Sequence, residues 1–188
     1  QSEARFRPQS GAGGSGEEAA NELWTRSDVF LKGEGVAVDK KKAVALMSRA
    51  ALMGSVEAMC EAGVMQTKGE GIPRDLEKAA EMYLQASENG FAPGQFLLAG
   101  MLWGGFGVDQ DEEAALALWK LSAAQDYAPA KAQLAEAESE LALRRGDKLA
   151  SNKANKDAGK AWKEAIAGGC DLSASLDALR LSRTCDLC

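Results

Sequence analysis

Cysteine is the residue type in this chain with the clearest capacity for chemistry. The four cysteines are Cys60, Cys170, Cys185 and Cys188, and the last two form a Cys-x-x-Cys pair. Such a pair can act as a redox dithiol or supply half of a zinc site. Neither role has its usual supporting residues, because the chain has no histidine, no second Cys-x-x-Cys and no thioredoxin-like strand followed by a helix. Thiol redox chemistry or metal binding at the carboxyl end is therefore kept as the alternative function.

The cysteines also allow a structural interpretation. Cys60 falls in the middle of a predicted helix, where it is expected to be a small core residue. Cys170 opens a predicted last helix, and Cys185 or Cys188 follows that helix. A disulfide from Cys170 to either of them would staple the helix in an oxidising compartment. The sequence leaves the redox compartment open.

Composition argues against several classes of function. The chain has 188 residues, of which 46% are hydrophobic and only 6% aromatic, which favours closely packed helices over sheets. The absence of histidine weighs against most hydrolases and metalloenzymes, so we expect no catalysis, no cofactor and no metal. A formal net charge of −6 makes nucleic acid a poor partner, and no apolar run is long enough to predict a transmembrane segment.

A period of 36 residues runs through the chain. Gly33, Gly69 and Gly105 each begin a Gly-x-Gly pair that is followed by Val or Ile, and the same spacing relates three further columns of residues. These columns are Asp39, Asp75 and Asp111; Ala43, Ala79 and Ala115; and Met47, Tyr83 and Trp119. Four columns in one register indicate successive copies of one structural unit.

Each column has a role in a unit of two helices. The Gly-x-Gly pair is typical of a helix C-cap, since glycine adopts left-handed backbone angles at little cost. The aspartate is typical of an N-cap, where its side chain accepts hydrogen bonds from free backbone N–H groups. The alanine lets helices approach closely, and the large residue one turn later fills the core. The chain is therefore predicted to be all-α, with almost no strand.

This arrangement resembles Sel1-like repeats, which are related to the tetratricopeptide repeat. Residues 75 to 108 match the scheme best, and the resemblance covers residues 18 to 145. It implies a right-handed α-α superhelix, a solenoid whose first helices line a groove, and the non-catalytic role of an adaptor that assembles complexes. Tetratricopeptide arrays repeat every ~34 residues, whereas this chain has a period of 36. Pentatricopeptide arrays, which bind RNA, are usually basic, whereas this chain is acidic. We find no serine or histidine constellation of the kind that a Sel1-like β-lactamase would require.

The chain is predicted to have three parts. Residues 1–16 form a flexible Gly/Ser-rich tail, residues 17–169 hold about four repeats, and residues 170–188 contain a capping helix and the Cys-x-x-Cys tail. Ala158 and Trp162 follow Ala115 and Trp119 by seven residues more than the repeat period, so they match the second helix of a fourth unit. This spacing predicts an insertion between residues 140 and 155. The polar segments 146–148 and 151–153 are the loops expected there.

Candidate partner-facing residues follow from the resemblance, because the residue before the family's leucine column projects from the inner face. In this chain these residues are Thr25, Glu61, Leu97 and Gln133. The alternative is that they are ordinary solvated residues, since only a few residues of an interface usually matter for binding.

A second candidate is an apolar anchor near the third Gly-x-Gly turn. Leu97 is apolar where a polar residue is expected, and Trp103 and Phe106 add two large rings close by. Tryptophan is enriched at the centres of protein interfaces, which favours an anchor at this corner. The alternative is that both rings pack locally against the next unit.

The expected partners are other protein subunits, bound through the groove and the amino-terminal tail. That tail contains Arg5, Arg7 and a Gly-rich stretch, and we expect it to be disordered in isolation. Because the sequence begins with Gln1, a removed presequence is expected, which favours an organelle, either mitochondrion or plastid. The favoured role is an accessory subunit of a respiratory, photosynthetic or ribosomal assembly, with a secreted or cytoplasmic location as the alternatives.

Overall fold

The structure is a computed structural model that describes residues 16–168. In that range it contains eight α-helices and no strand, which confirms the all-α prediction. The helices are α1 (Gly16–Lys32), α2 (Lys40–Leu52), α3 (Val56–Lys68), α4 (Leu76–Glu88), α5 (Ala92–Gly104), α6 (Glu112–Ala124), α7 (Ala128–Arg144) and α8 (Lys148–Ala167). The predictions for the amino-terminal tail, the capping helix and Cys170, Cys185 and Cys188 lie outside the described residues.

The helices stack in the order of the sequence. Each packs mainly on the helices before and after it, and the most extensive contact between helices two apart is that of α3 with α5. This contact puts α3 and α5 on the inner side of the stack, and the repeat assigns α1 and α7 to the same side. The remaining helices, α2, α4, α6 and α8, form the outer side. The predicted helical solenoid is confirmed.

Aspartates begin the outer helices. Oδ1 of Asp39, Asp75 and Asp111 accepts a hydrogen bond from the backbone N–H three residues later, at 3.0, 3.1 and 2.9 Å respectively. Each bond satisfies one of the N–H groups that the start of a helix leaves unpaired. The predicted N-cap role is thus confirmed. Asp147, one further period along, caps α8 in the same way at 2.9 Å.

The two glycines of each Gly-x-Gly pair have different roles. Gly69 and Gly105 end α3 and α5 with φ angles of 71° and 67°, in agreement with the predicted C-cap. The second glycine lies against the start of the preceding outer helix. A Cβ at Gly71 would lie 2.8 Å from the carbonyl carbon of the first residue of α2, and a Cβ at Gly107 would overlap the same atom of α4. Only a residue without a side chain allows consecutive units to approach this closely.

The core is built from the predicted columns. Ala43, Ala79 and Ala115 are fully buried. The large residues that follow them are at most 1% exposed, namely Met47, Tyr83 and Trp119. The main cluster extends from the second unit through the third to α7, and a smaller cluster of Val44, Met47, Ala62 and Met65 joins the first unit to the second.

The fourth unit has longer helices and a shorter connection. α7 has 17 residues and α8 has 20, whereas α5 and α6 have 13 each. Of the predicted loop at 146–148, the first two residues lie in the connection and Lys148 begins α8. The loop predicted at 151–153 is wrong, because Ser151 is 2% exposed inside α8 and its hydroxyl lies 3.0 Å from that of Ser139 on α7. Neighbouring alanines and lysines favour the helix despite the polar composition.

Candidate functional site

The predicted partner-facing residues lie one on each inner helix, but they differ in exposure. Thr25 on α1 is exposed and its hydroxyl donates to the carbonyl of Asn21 at 2.8 Å, and Glu61 on α3 is half-buried. Leu97 on α5 is only 6% exposed and Gln133 on α7 only 8%. Their burial corrects the expectation that all four residues project into solvent. The reason is that Leu97 packs into the main core cluster, where the third unit is densely filled.

Trp103 and Phe106 lie at the end of α5 and in the turn that follows. The Trp103 ring packs against the Trp119 ring with 5.4 Å between centroids. The Phe106 ring covers Gly104 so closely that any side chain there would overlap it. Both rings are half-buried against the main core, and Leu97 is buried. The structure therefore does not form one exposed apolar patch from these three residues, and the anchor at this corner stays a prediction for the exposed parts of the two rings.

Trp24 and Glu61 join α1 to α3 on the inner side. The indole Nε1 of Trp24 donates to Oε2 of Glu61 at 2.8 Å, and both side chains are half-buried. Burial raises the pKa of Glu61, and the negative charges of Asp28 and Glu57 raise it as well. The hydrogen bond from Trp24 and the positive charge of Lys32 oppose the rise.

Glu57 lies one helical turn before Glu61 on α3. Its Oε2 accepts a hydrogen bond from Ser55 Oγ at 3.2 Å. Its Oε1 is buried and has no hydrogen-bond donor among residues 16–168. A buried carboxylate oxygen without a donor raises the free energy of the folded chain. We call Trp24, Asp28, Glu57 and Glu61 the acidic inner surface.

Cys60 lies beside this surface but belongs to the core, where it is 6% exposed. Burial raises the pKa of its thiol far above the usual value, and the charges of Glu57 and Glu61 raise it further. The thiol is therefore protonated and unreactive near neutral pH, in agreement with the predicted core role. Within the described part of the chain, no group of three or more His, Cys, Asp or Glu residues is placed to hold a metal ion.

A second pair of tryptophan and glutamate, not foreseen from the sequence, joins α7 to α8. Nε1 of Trp162 on α8 donates to Oε1 of Glu136 on α7 at 2.7 Å. The hydrogen bond from Trp24 to Glu61 was not predictable from the sequence either. The partners are 26 and 37 residues apart and lie on different helices. A repeat register locates equivalent positions in successive units, but it does not identify which side chains meet across helices.

No helix between residues 16 and 168 has both the length and the apolar character needed to cross a membrane.

Comparisons with known proteins agree with this architecture. A family model described as Sel1 repeat matches residues 27–55, 56–91 and 92–127. The crystal structure of a Sel1 repeat protein from Oxalobacter formigenes is 26% identical, with a TM-score of 0.65 over 76% of this chain and 58% of that one. The crystal structure of a protective antigen of uropathogenic Escherichia coli, described as displaying an SLR fold, is 28% identical, with a TM-score of 0.62 over 81% of this chain.

The chain matches only 58% and 32% of the lengths of these two proteins, respectively. A search of curated protein sequences found no match to this chain. The match to the family model leaves α7 and α8 outside its three repeats, although they form a fourth pair of helices in the structure.

Proposed function

The chain belongs to the Sel1 repeat family, and we propose that it is a non-catalytic scaffold that binds other proteins. Sel1 repeats generally mediate protein–protein interaction. Within that role we propose an accessory subunit that helps to assemble or stabilise a larger complex. The observation that carries the proposal is the acidic inner surface, where the half-buried carboxylates of Glu57 and Glu61 lie one helical turn apart on α3.

The acidic inner surface suits a basic side chain of a partner protein. Its three carboxylates lie on neighbouring inner helices, and Trp24 lies among them. Asp28 is already paired with Lys32 at 2.7 Å, so a partner cation would bind mainly at Glu57 and Glu61. An arginine or lysine would supply N–H donors together with a positive charge, and such charge-assisted hydrogen bonds are stronger than neutral ones. The exposed part of the Trp24 ring would pack against the cation or its aliphatic stem. The proposed partner segment is therefore basic.

A photo-crosslinking amino acid placed at Thr25 tests whether the inner side binds a partner. Thr25 is exposed on α1 and adjoins Trp24 in the sequence. We expect crosslinks from this position to a partner protein in cells of the source organism. The control is the same amino acid at Ala45, which is exposed on α2 on the outer side and should not crosslink to that partner. Equal crosslinking from both positions would contradict binding at the inner side.

A pair of neutralising substitutions tests the chemistry of the surface. Glu57→Gln with Glu61→Gln removes two negative charges and keeps the shape of both side chains. We expect the yield of the Thr25 crosslink to fall. The matched control is Glu113→Gln with Glu138→Gln, two exposed positions on α6 and α7 that remove the same charge. If both pairs lower the yield equally, the attraction is not local and the acidic inner surface is not the site.

A further inference from the structure

Helix α8 carries a stripe of lysines on its solvent side. The four lysines are all exposed and recur every three or four residues, so they share one face of the helix; they are Lys153, Lys156, Lys160 and Lys163. The helix buries its opposite face, formed by Ser151, Ala158 and Ala165. Among the described residues, Lys160 is the only one of the four in an ion pair, at 3.8 Å from the exposed Glu164. We call these four residues the basic stripe.

Helix α4 carries a stripe of the opposite sign. Its members are exposed and follow an i, i+4, i+7, i+11 spacing on one face; they are Glu77, Glu81, Leu84 and Glu88. The helix buries a different face, formed by Ala79, Ala80, Tyr83 and Ala86. Leu84 is 47% exposed in the middle of the three glutamates. Lys78, beside the stripe, is already paired with Asp75 at 2.9 Å. We call this the acidic stripe.

The two stripes are similar in length and opposite in charge. Two acidic residues, Asp157 and Glu164, share the lysine face of α8, so four positive charges are offset by two negative ones there. At 1.5 Å of rise per residue, the distance from Lys153 to Lys163 is about 15 Å, and that from Glu77 to Glu88 is about 17 Å. The outermost charges of one stripe can therefore lie against those of the other when the two helices lie side by side. Leu149, 84% exposed one turn before the lysines, adds an apolar group that can shield the contact from water.

The stripes do not meet within one chain. Helix α8 packs on α7, whereas α4 packs on α3 and α5, so α5, α6 and α7 lie between α4 and α8 in the stack. We propose that the basic stripe of one copy of this chain binds the acidic stripe of a second copy. The contact uses the outer side of the stack and goes beyond the proposed function, which uses the inner side. Because it joins two different surfaces, further copies can add unless the arrangement closes into a ring.

Sedimentation equilibrium of the full chain at several salt concentrations tests the proposal. Exposed charges are screened beyond about 10 Å at 0.1 M salt, so a contact of this kind weakens as salt is added. We expect the association constant to fall about tenfold or more between about 50 mM and 500 mM NaCl. A chain that stays monomeric at low salt and high protein concentration would overturn the proposal, even if it binds an acidic peptide instead.

Charge reversal identifies the surfaces involved. The variant Lys156→Glu with Lys163→Glu and the variant Glu81→Lys with Glu88→Lys each reverse two charges seven residues apart on their helix. We expect each variant to be monomeric alone, because its altered stripe no longer carries a net charge opposite to that of its unchanged stripe. A mixture of the two should associate, because the unchanged acidic stripe of the α8 variant can bind the unchanged basic stripe of the α4 variant.

A matched control separates this contact from the effect of net charge. Lys41→Glu with Lys120→Glu changes the net charge as much as the α8 variant does, at exposed positions on α2 and α6. We expect this control to associate like the wild type. Loss of association in the control, or failure of the two folded reversal variants to associate when mixed, would overturn the proposal. Circular dichroism of each variant establishes that it is folded.

Discussion

Replacing Gly71 with alanine tests how closely consecutive repeats pack. Gly71 has φ 77°, and a Cβ there would lie 2.8 Å from both the carbonyl carbon and the carbonyl oxygen of Lys40. Gly35 is the equivalent residue one period earlier, with φ 76°, but a Cβ there would have nothing within 4 Å. The two positions share one backbone conformation and differ in the neighbour, so their comparison isolates the contact between units.

The expected costs follow from this difference. Alanine in a left-handed conformation lowers the free energy of unfolding by about 1 kcal/mol relative to glycine, and this should be the whole effect at Gly35. At Gly71 the new methyl group must also push the start of α2 away, which adds about 1–3 kcal/mol, as other overpacked contacts do. We therefore expect about 2–4 kcal/mol for Gly71→Ala.

Urea denaturation followed by far-ultraviolet circular dichroism measures both variants against the wild type. A Gly71→Ala variant that is no less stable than Gly35→Ala would refute the reasoning. In that case the units could separate at this contact without loss of stability, and the glycine column would reflect backbone conformation alone.

Three further predictions concern single side chains. Glu61→Gln keeps an acceptor for Trp24 but removes a carboxyl whose raised pKa makes the folded chain hold its proton more tightly than the unfolded chain does. The free energy of unfolding of the wild type should therefore fall as pH rises from about 4.3, the ordinary glutamate pKa, through the raised pKa of the folded chain. Urea denaturation should show that the variant loses less free energy of unfolding than the wild type between about pH 4 and pH 8. Equal losses would contradict this prediction. Asp147→Ala should lower the free energy of unfolding by about 1 kcal/mol, as Asp111→Ala should, because both aspartates are helix N-caps. If Asp147→Ala has no effect in the same assay, the 36-residue period ends before α8. Cys60 should resist iodoacetamide in the folded chain at about pH 8 and react in urea, as peptide mass spectrometry would show; rapid labelling of the folded chain would disprove its burial.

The first glycine and the aspartate of each unit were predictable because each acts on backbone close to it in the chain. An N-cap such as Asp75 needs only the N–H group three residues later, and a C-cap such as Gly69 needs only its own φ angle. Such interactions are local in the chain, so spacing in the sequence is enough to find them. The pairing of helices into units follows from the same local information.

The exposure of Leu97 and Gln133 was not predictable in the same way. The register correctly assigned both residues to inner helices, but exposure depends on how closely the neighbouring helices approach, and every side chain between them affects that distance. Asp147 was missed for a related reason. Ala158 and Trp162 suggested that the whole last helix is shifted by seven residues, whereas its start keeps the 36-residue period and the helix is longer.

The order in which the helices pack has a consequence for how the chain folds. Each helix contacts mainly its neighbours in sequence, so few contacts join residues that are distant along the chain. Chains of such low contact order lose little entropy in closing loops and fold quickly. During synthesis, α1 to α4 can pack before α7 and α8 have left the ribosome. The apolar side of each new unit is then exposed only until the following helix emerges, which limits the time available for aggregation.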